Sequence, residues 1–210
     1  MRIKSILKIM AALLALVTLG TVAVSCGALR AEEMIDSVKL PETYSITYEV
    51  KNKDGEITTV SKTRDENGNV YFRSGDTELL FIKDGNAFVE YTKNAEGELV
   101  CDSNKKVDGD YVDNATVEFL EYAEQSRNRF MPTAKESGTQ TIANRPADRY
   151  TVKVGISAFN VSYNYYVDTE TGVCLGYDTQ MVLAGISVDT DDTVFTCTEF
   201  ITDGIEILYV

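Results

Sequence analysis

From Tyr44 onward apolar and polar residues alternate along much of the chain. Tyr44, Ile46, Tyr48 and Val50 fall on one side of an extended segment, and Ser45, Thr47, Glu49 and Lys51 on the other. That period of two predicts a strand with one face in a core or cavity and one in water. Tyr150, Val152 and Val154 oppose Arg149, Thr151 and Lys153 in the same way, and Val161, Tyr163, Tyr165 and Val167 oppose Asn160, Ser162 and Asn164. The segment "TELLFIK" departs from the pattern. Leu79 and Phe81 point one way and Leu80 and Ile82 the other, so this strand is expected to be covered on both faces.

Turn signals separate these segments: Lys53-Asp54-Gly55-Glu56, Glu66-Asn67-Gly68-Asn69, Asp84-Gly85-Asn86, Glu96-Gly97-Glu98, Asp108-Gly109-Asp110 and Thr171-Gly172. Asp-Gly and Asn-Gly pairs tolerate the positive φ of tight hairpins. One long stretch reads as helix instead. In "DNATVEFLEYAEQSRNRF", Asp113 or Asn114 is the expected N-cap, Val117, Leu120 and Ala123 share a stripe flanked by Phe119 and Tyr122, and Pro132 closes the region. A shorter candidate, Ala31 to Leu40, groups Met34, Ile35 and Val38 ahead of Pro41. It is either a helix or a simple tether. The resulting order is about five strands, one helix, then four or five strands, an antiparallel sheet packed on helix in the α+β sense.

The N-terminus reads differently. Arg2, Lys4 and Lys8 precede sixteen uncharged residues, Ile9 to Val24. That run is short for a bilayer span, which takes about 20 residues; it suits the apolar region of a secretory signal. Ala23-Val24-Ser25 then leads into Cys26. The segment resembles the bacterial lipobox, with Ala23 where Leu is usual. The resemblance implies that the Cys26 thiol carries diacylglycerol and that the chain is cut before it. An ordinary signal peptide cut nearby and an uncleaved anchor are the alternatives. The expected division is therefore a signal peptide over 1–25, a lipidated Cys26 with tether or short helix over 26–42, and one domain over 43–210.

Cutting after residue 25 removes three of the 20 basic residues and no acid, so 17 basic residues face 33 acidic ones, a net charge of −16. So acidic a surface argues against nucleic acid as a partner and against adhesion to anionic lipid. Histidine is absent, which excludes Ser-His-Asp and Cys-His catalysis and the commonest zinc ligand. Apart from Cys26 there are Cys101, Cys174 and Cys197. Either one disulfide forms, with Cys174 and Cys197 the better pair, or all three are small buried hydrophobes.

The long hairpin "YSITYEVKNKDGEITTVSKTRDENGNVYFR" and the late segment "RYTVKV…NVSYNYYVDTETGVCLGY", with helices before and between, resemble the lipoprotein-carrier (LolA-like) superfamily. The resemblance implies a curved, unclosed antiparallel sheet, a half-barrel of about ten strands, with one or two helices on the concave face. It also implies an apolar cavity for acyl chains and a place in a Gram-positive cell envelope, on the outer side of the membrane. Lipid-anchored relatives include glycolipid carriers and partners of envelope enzymes or sensors.

If such a cavity exists, its expected lining is Ile46, Tyr48, Leu79, Phe81, Val89, Tyr91, Tyr163 and Tyr165, although the same residues would equally pack helix on sheet. Two acidic loops, Asp168 with Glu170 before Gly172, and Asp189, Asp191 and Asp192, lack full EF-hand spacing and read as solvated hairpin loops. No metal site, cofactor or catalytic pair is expected; with 33 acids, some carboxylate pair always looks suitable. Two functions follow. One is a non-catalytic lipoprotein, held to the membrane by its N-terminal lipid, that binds an acyl chain or other amphiphile. The other is an interaction module with a filled core that docks on an envelope protein.

Overall fold

The computed structural model describes residues 28–30, 40–101, 105–116, 133–156, 159–188 and 194–207. Among them are fourteen strands and one helix. In chain order these are β1 (Ala28–Arg30), β2 (Tyr44–Lys51), β3 (Ile57–Arg64), β4 (Val70–Ser74), β5 (Thr77–Asp84), β6 (Ala87–Lys93), β7 (Leu99–Val100), β8 (Lys106–Val107), α1 (Gly109–Ala115), β9 (Thr133–Ile142), β10 (Arg145–Ile156), β11 (Phe159–Asp168), β12 (Cys174–Leu183), β13 (Ile186–Val188) and β14 (Val194–Ile201). All pair antiparallel in one open, curved sheet of order β1-β9-β10-β11-β12-β14-β2-β3-β4-β5-β6-β7, with β13 beside β12 and β8 beside β6. The count exceeds the expected ten because β1, β7, β8 and β13 are only two or three residues long. Strands β9 and β14 stand four places apart in the order yet touch, a measure of how tightly the sheet coils.

Pairing register fixes which side chains share a face, because residues directly opposite in an antiparallel pair project to the same side. Ile46 faces Lys62, Lys62 faces Phe72, and Phe72 faces Leu79. Tyr48 faces Cys197, Phe195 faces Tyr177, and Tyr177 faces Tyr165. This inner face carries the core. Tyr44, Ile46, Tyr48, Phe195, Cys197 and Tyr165 are buried together in one cluster, and Val70, Phe81, Phe88 and Val107 close around Val112 of α1 in another. Tyr48 meets Phe195 edge-on at 5.5 Å and donates its hydroxyl to the Cys174 carbonyl at 2.9 Å. Burial holds the Tyr44 and Tyr48 phenols well above their usual range.

The outer face of β9–β12 is a polar ladder. Thr151, Asn164 and Asp178 stand side by side. Thr151 Oγ1 donates to Asn164 at 2.8 Å, and Asn164 Nδ2 donates to Asp178 at 2.7 Å. Tyr166 also donates to Asp178, and burial with that carboxylate pushes its phenol up to about 12. Strand β5 is apolar on both faces as expected. Phe81 is buried on the inner side, whereas Leu80 is buried on the outer side between its cross-strand partners Tyr71 and Tyr91.

Two local readings change and one pair of alternatives is decided. Asp108, read as part of a turn, is the N-cap of the short helix α1, which ends at Ala115, and its carboxylate accepts from the Tyr111 amide at 2.8 Å. Asp113 lies inside α1, whereas the stripe Val117, Leu120 and Ala123 is outside the described residues. Residues 28–30, expected in a tether, form β1 against β9; the helix candidate that follows, through residue 39, is outside them too. Cys174 and Cys197 form no disulfide. The half-buried Cys174 and the buried Cys197 each point their thiol at a nearby carbonyl, of Gly176 and of Glu199 respectively, both at 3.2 Å.

Candidate binding face of the sheet

The eight residues expected to line a cavity do not share one surface. Ile46, Tyr48, Leu79, Phe81, Tyr163 and Tyr165 lie on the inner face. Val89 pairs with Ile82 and Tyr91 with Leu80, which places both on the outer face. Among the inner six, Ile46, Tyr48, Phe81 and Tyr165 are buried in the packed clusters. Only Leu79 and Tyr163 keep partial exposure. The seam under α1 is likewise filled, because Val112 is buried against Phe81 and Val70.

Open apolar surface lies elsewhere on the same face, at the far ends of β10–β13. The row nearest the core is Val152, itself buried, with Tyr163 and Thr179; the next is Val154, Val161, Met181 and Val188; the last is Ile156, Phe159, Leu183 and Ile186. The last row is uncovered, with exposures of 72%, 48%, 51% and 68%. All three rows are uncharged, and the only charged residue among the described ones of 152–163 and 179–188 is Lys153, on the outer face. Single exposed hydrophobes need no explanation, but a contiguous patch marks an interaction surface. Sequence alternation pointed to these strands and not to their tips, since exposure depends on what lies opposite.

Six residues back along β10 from Ile156 the face ends in a cleft of about 440 Å³ lined by Asp148, Tyr150, Val167 and the loop from Asp168 to Gly172. Arg145, which the sequence reading did not single out, organises this loop. Its guanidinium donates Nε to Asp168 Oδ1 at 2.9 Å and Nη2 to Asp168 Oδ2 at 3.0 Å, reaches Glu170 at 2.8 Å, and stacks 4.7 Å from the Phe200 ring centre. Thr171 donates its amide and hydroxyl to the same carboxylate. Burial alone would raise the Asp168 carboxyl; these donors and the Arg145 charge hold it below its usual value. The run Asp168-Thr169-Glu170-Thr171-Gly172 is thus a loop built around one buried carboxylate.

Among the described residues no group of three or more acids or cysteines is arranged to hold a metal ion; Asp189, Asp191 and Asp192 are outside them. Burial pushes the Cys174 thiol up to about 11 and the Cys197 thiol up to about 12, so neither is an activated nucleophile. No described helix is long and apolar enough to cross a membrane.

The sequence matches no protein-family model and no curated protein. Among solved structures, the fold is similar to the complex of Pseudomonas aeruginosa MucA and MucB, with a TM-score of 0.43 and 13% identity over 84% of this chain and 58% of that one. It is also similar to MucB in complex with the periplasmic part of MucA, with a TM-score of 0.41 and 17% identity over 84% and 57%. The match thus spans under two thirds of those chains, and at these scores it carries no functional argument.

Proposed function

We propose that the chain is a non-catalytic binding protein of the cell envelope, anchored to the membrane by lipid on Cys26, that holds an acyl chain or another amphiphile. The observation that carries the reading is the division of one sheet face. Uncharged rows lie open at the tips of β10–β13, and about 20 Å back along β10, at about 3.4 Å per residue, the same face reaches a cleft walled by Asp148, Tyr150 and Thr169. Binding sites for such ligands join an apolar lining to a few placed polar groups. Because Ile46, Tyr48 and Phe81 fill the centre, the guest lies along the open rows and not in a closed channel.

That filled centre also supports the second reading, a module whose apolar rows dock on an envelope enzyme or sensor. Native mass spectrometry of the gently purified protein separates the two. Co-purified lipid, and fluorescent fatty-acid binding that Leu183→Asp weakens, support the first. Absence of both would overturn it, and a stoichiometric protein crosslinked through Leu183 in membranes would establish the second.

A further inference from the structure

Strand β1 begins at Ala28, two residues after Cys26. Two residues span at most about 7 Å, so a lipid on Cys26 leaves almost no tether. The edge of the sheet made by β1, β9 and β10 must then sit at the lipid surface. Ala28 faces Lys135 on β9, and Lys135 faces Thr151 on β10. From Thr151, β10 runs five residues, about 17 Å, to Ile156 in the exposed apolar row, and because β1 runs parallel to β10 its amino end is the end farther from that row. The attachment point and the open row therefore belong to the same flank of the sheet, whereas α1 packs on β4 to β6 of the other half.

We infer that the row Ile156, Phe159, Leu183 and Ile186 is a second membrane contact, which dips into an electrically neutral lipid surface and takes its guest from that leaflet. The inference rests on the Cys26-anchored reading above and names the partner of the same face. Charge selects the kind of surface. A domain of net −16 is repelled by anionic lipid, while the hairpins that carry this row have Lys153 as their one described charge. Anchoring by lipid chains is firm when a second contact supports it, and four side chains 48–72% exposed would supply that contact by leaving water.

Photo-crosslinking in the anchored, full-length protein tests this. A photoreactive residue replaces Ile186, Phe159 or, as control, Ile57, which is 65% exposed but lies in the other half of the sheet. Phospholipid adducts on the peptides holding positions 186 and 159, at least tenfold above position 57, are expected. Crosslinks to a second copy or to another protein, or adducts no more frequent than at position 57, overturn the inference. The Cys26→Ala chain supplies an independent arm with phosphatidylcholine vesicles. There, Ile186→Asp with Phe159→Asp is expected to lower co-sedimentation about tenfold, and unchanged partition counts against the contact. Failure of the anchor itself shows separately, as wild-type protein that takes up no fatty-acid label.

Discussion

Arg145 and Asp168 stand 23 residues apart and meet through two nearly parallel hydrogen bonds, with the Asp168 side chain fully buried and the guanidinium 16% exposed. Removing the cation leaves a buried carboxylate held only by Thr171. Arg145→Ala is therefore expected to cost about 3–5 kcal/mol, read as a lower urea midpoint at pH 7. Arg145→Lys should recover only part of this, because an ammonium cannot make both bonds at once. A midpoint unchanged in Arg145→Ala would show that the loop stands without the pair.

The same pair gives the acid limb of stability its sign. The folded Asp168 carboxyl lies below its unfolded value of about 3.8, so its contribution is complete above that pH and is lost as pH falls through the folded value. Asp168→Asn should flatten the fall of the urea midpoint as pH drops below about 4. A slope identical to wild type would remove Asp168 from the account.

The alkaline limb runs the other way. Unfolded thiols ionise near pH 9, while Cys174 and Cys197 keep their protons to about 11 and about 12. The folded state then binds more protons, and stability falls from about pH 9 upward. Both thiols should resist iodoacetamide at pH 8 in the native protein and react once urea unfolds it. Rapid native labelling at either position would contradict the burial described.

Lys62 lies under α1, 5% exposed, with Asp113 Oδ1 3.7 Å away. Burial lowers its pKa, and the Asp113 charge offsets only part of that. Replacing such an ion with an apolar chain of similar length is often neutral or stabilising. Lys62→Met is expected to raise the urea midpoint by the equivalent of about 1 kcal/mol; a fall of that size would mean that the Lys62–Asp113 contact positions the helix.

Gly155 sits beside the open row with φ of +126°, and a Cβ there would come 2.3 Å from the Phe159 carbonyl oxygen. Backbone would have to move, at a cost of roughly 1–3 kcal/mol. Gly155→Ala should lower the melting temperature and, by displacing Ile156 and Phe159, weaken fatty-acid binding more than the equally exposed change Gly85→Ala. Equal effects of the two would detach Gly155 from the binding face.

Alternation around Tyr44–Val50, Tyr150–Val154 and Val161–Val167 made the long strands legible, because the requirement to bury one face writes itself into every second residue. Five of the six turn signals fall between strands. The sixth failed at Asp108, where the same acid-glycine chemistry that suits a turn also suits an N-cap, and the apolar partner of Val112 decides between them. Val89 and Tyr91 were assigned to the wrong side of the sheet because alternation groups residues within a strand and does not say how neighbouring strands are phased. Arg145 left no periodic trace at all; its partners are set by a loop 23 residues on. Short pieces such as β1, with three residues, are too brief to show a period.

The sheet order has one further consequence. Strands β2 to β7 form one run of neighbours and β9 to β12 another, and among the described residues β14, from Val194 to Ile201, alone stands between them. A chain delivered amino end first therefore holds two unjoined leaves until residues 194–201 arrive. Until that keystone is made, each leaf carries one unsatisfied inner edge, β2 on the first and β12 on the second, so the arch closes only when residues 194–201 bridge them.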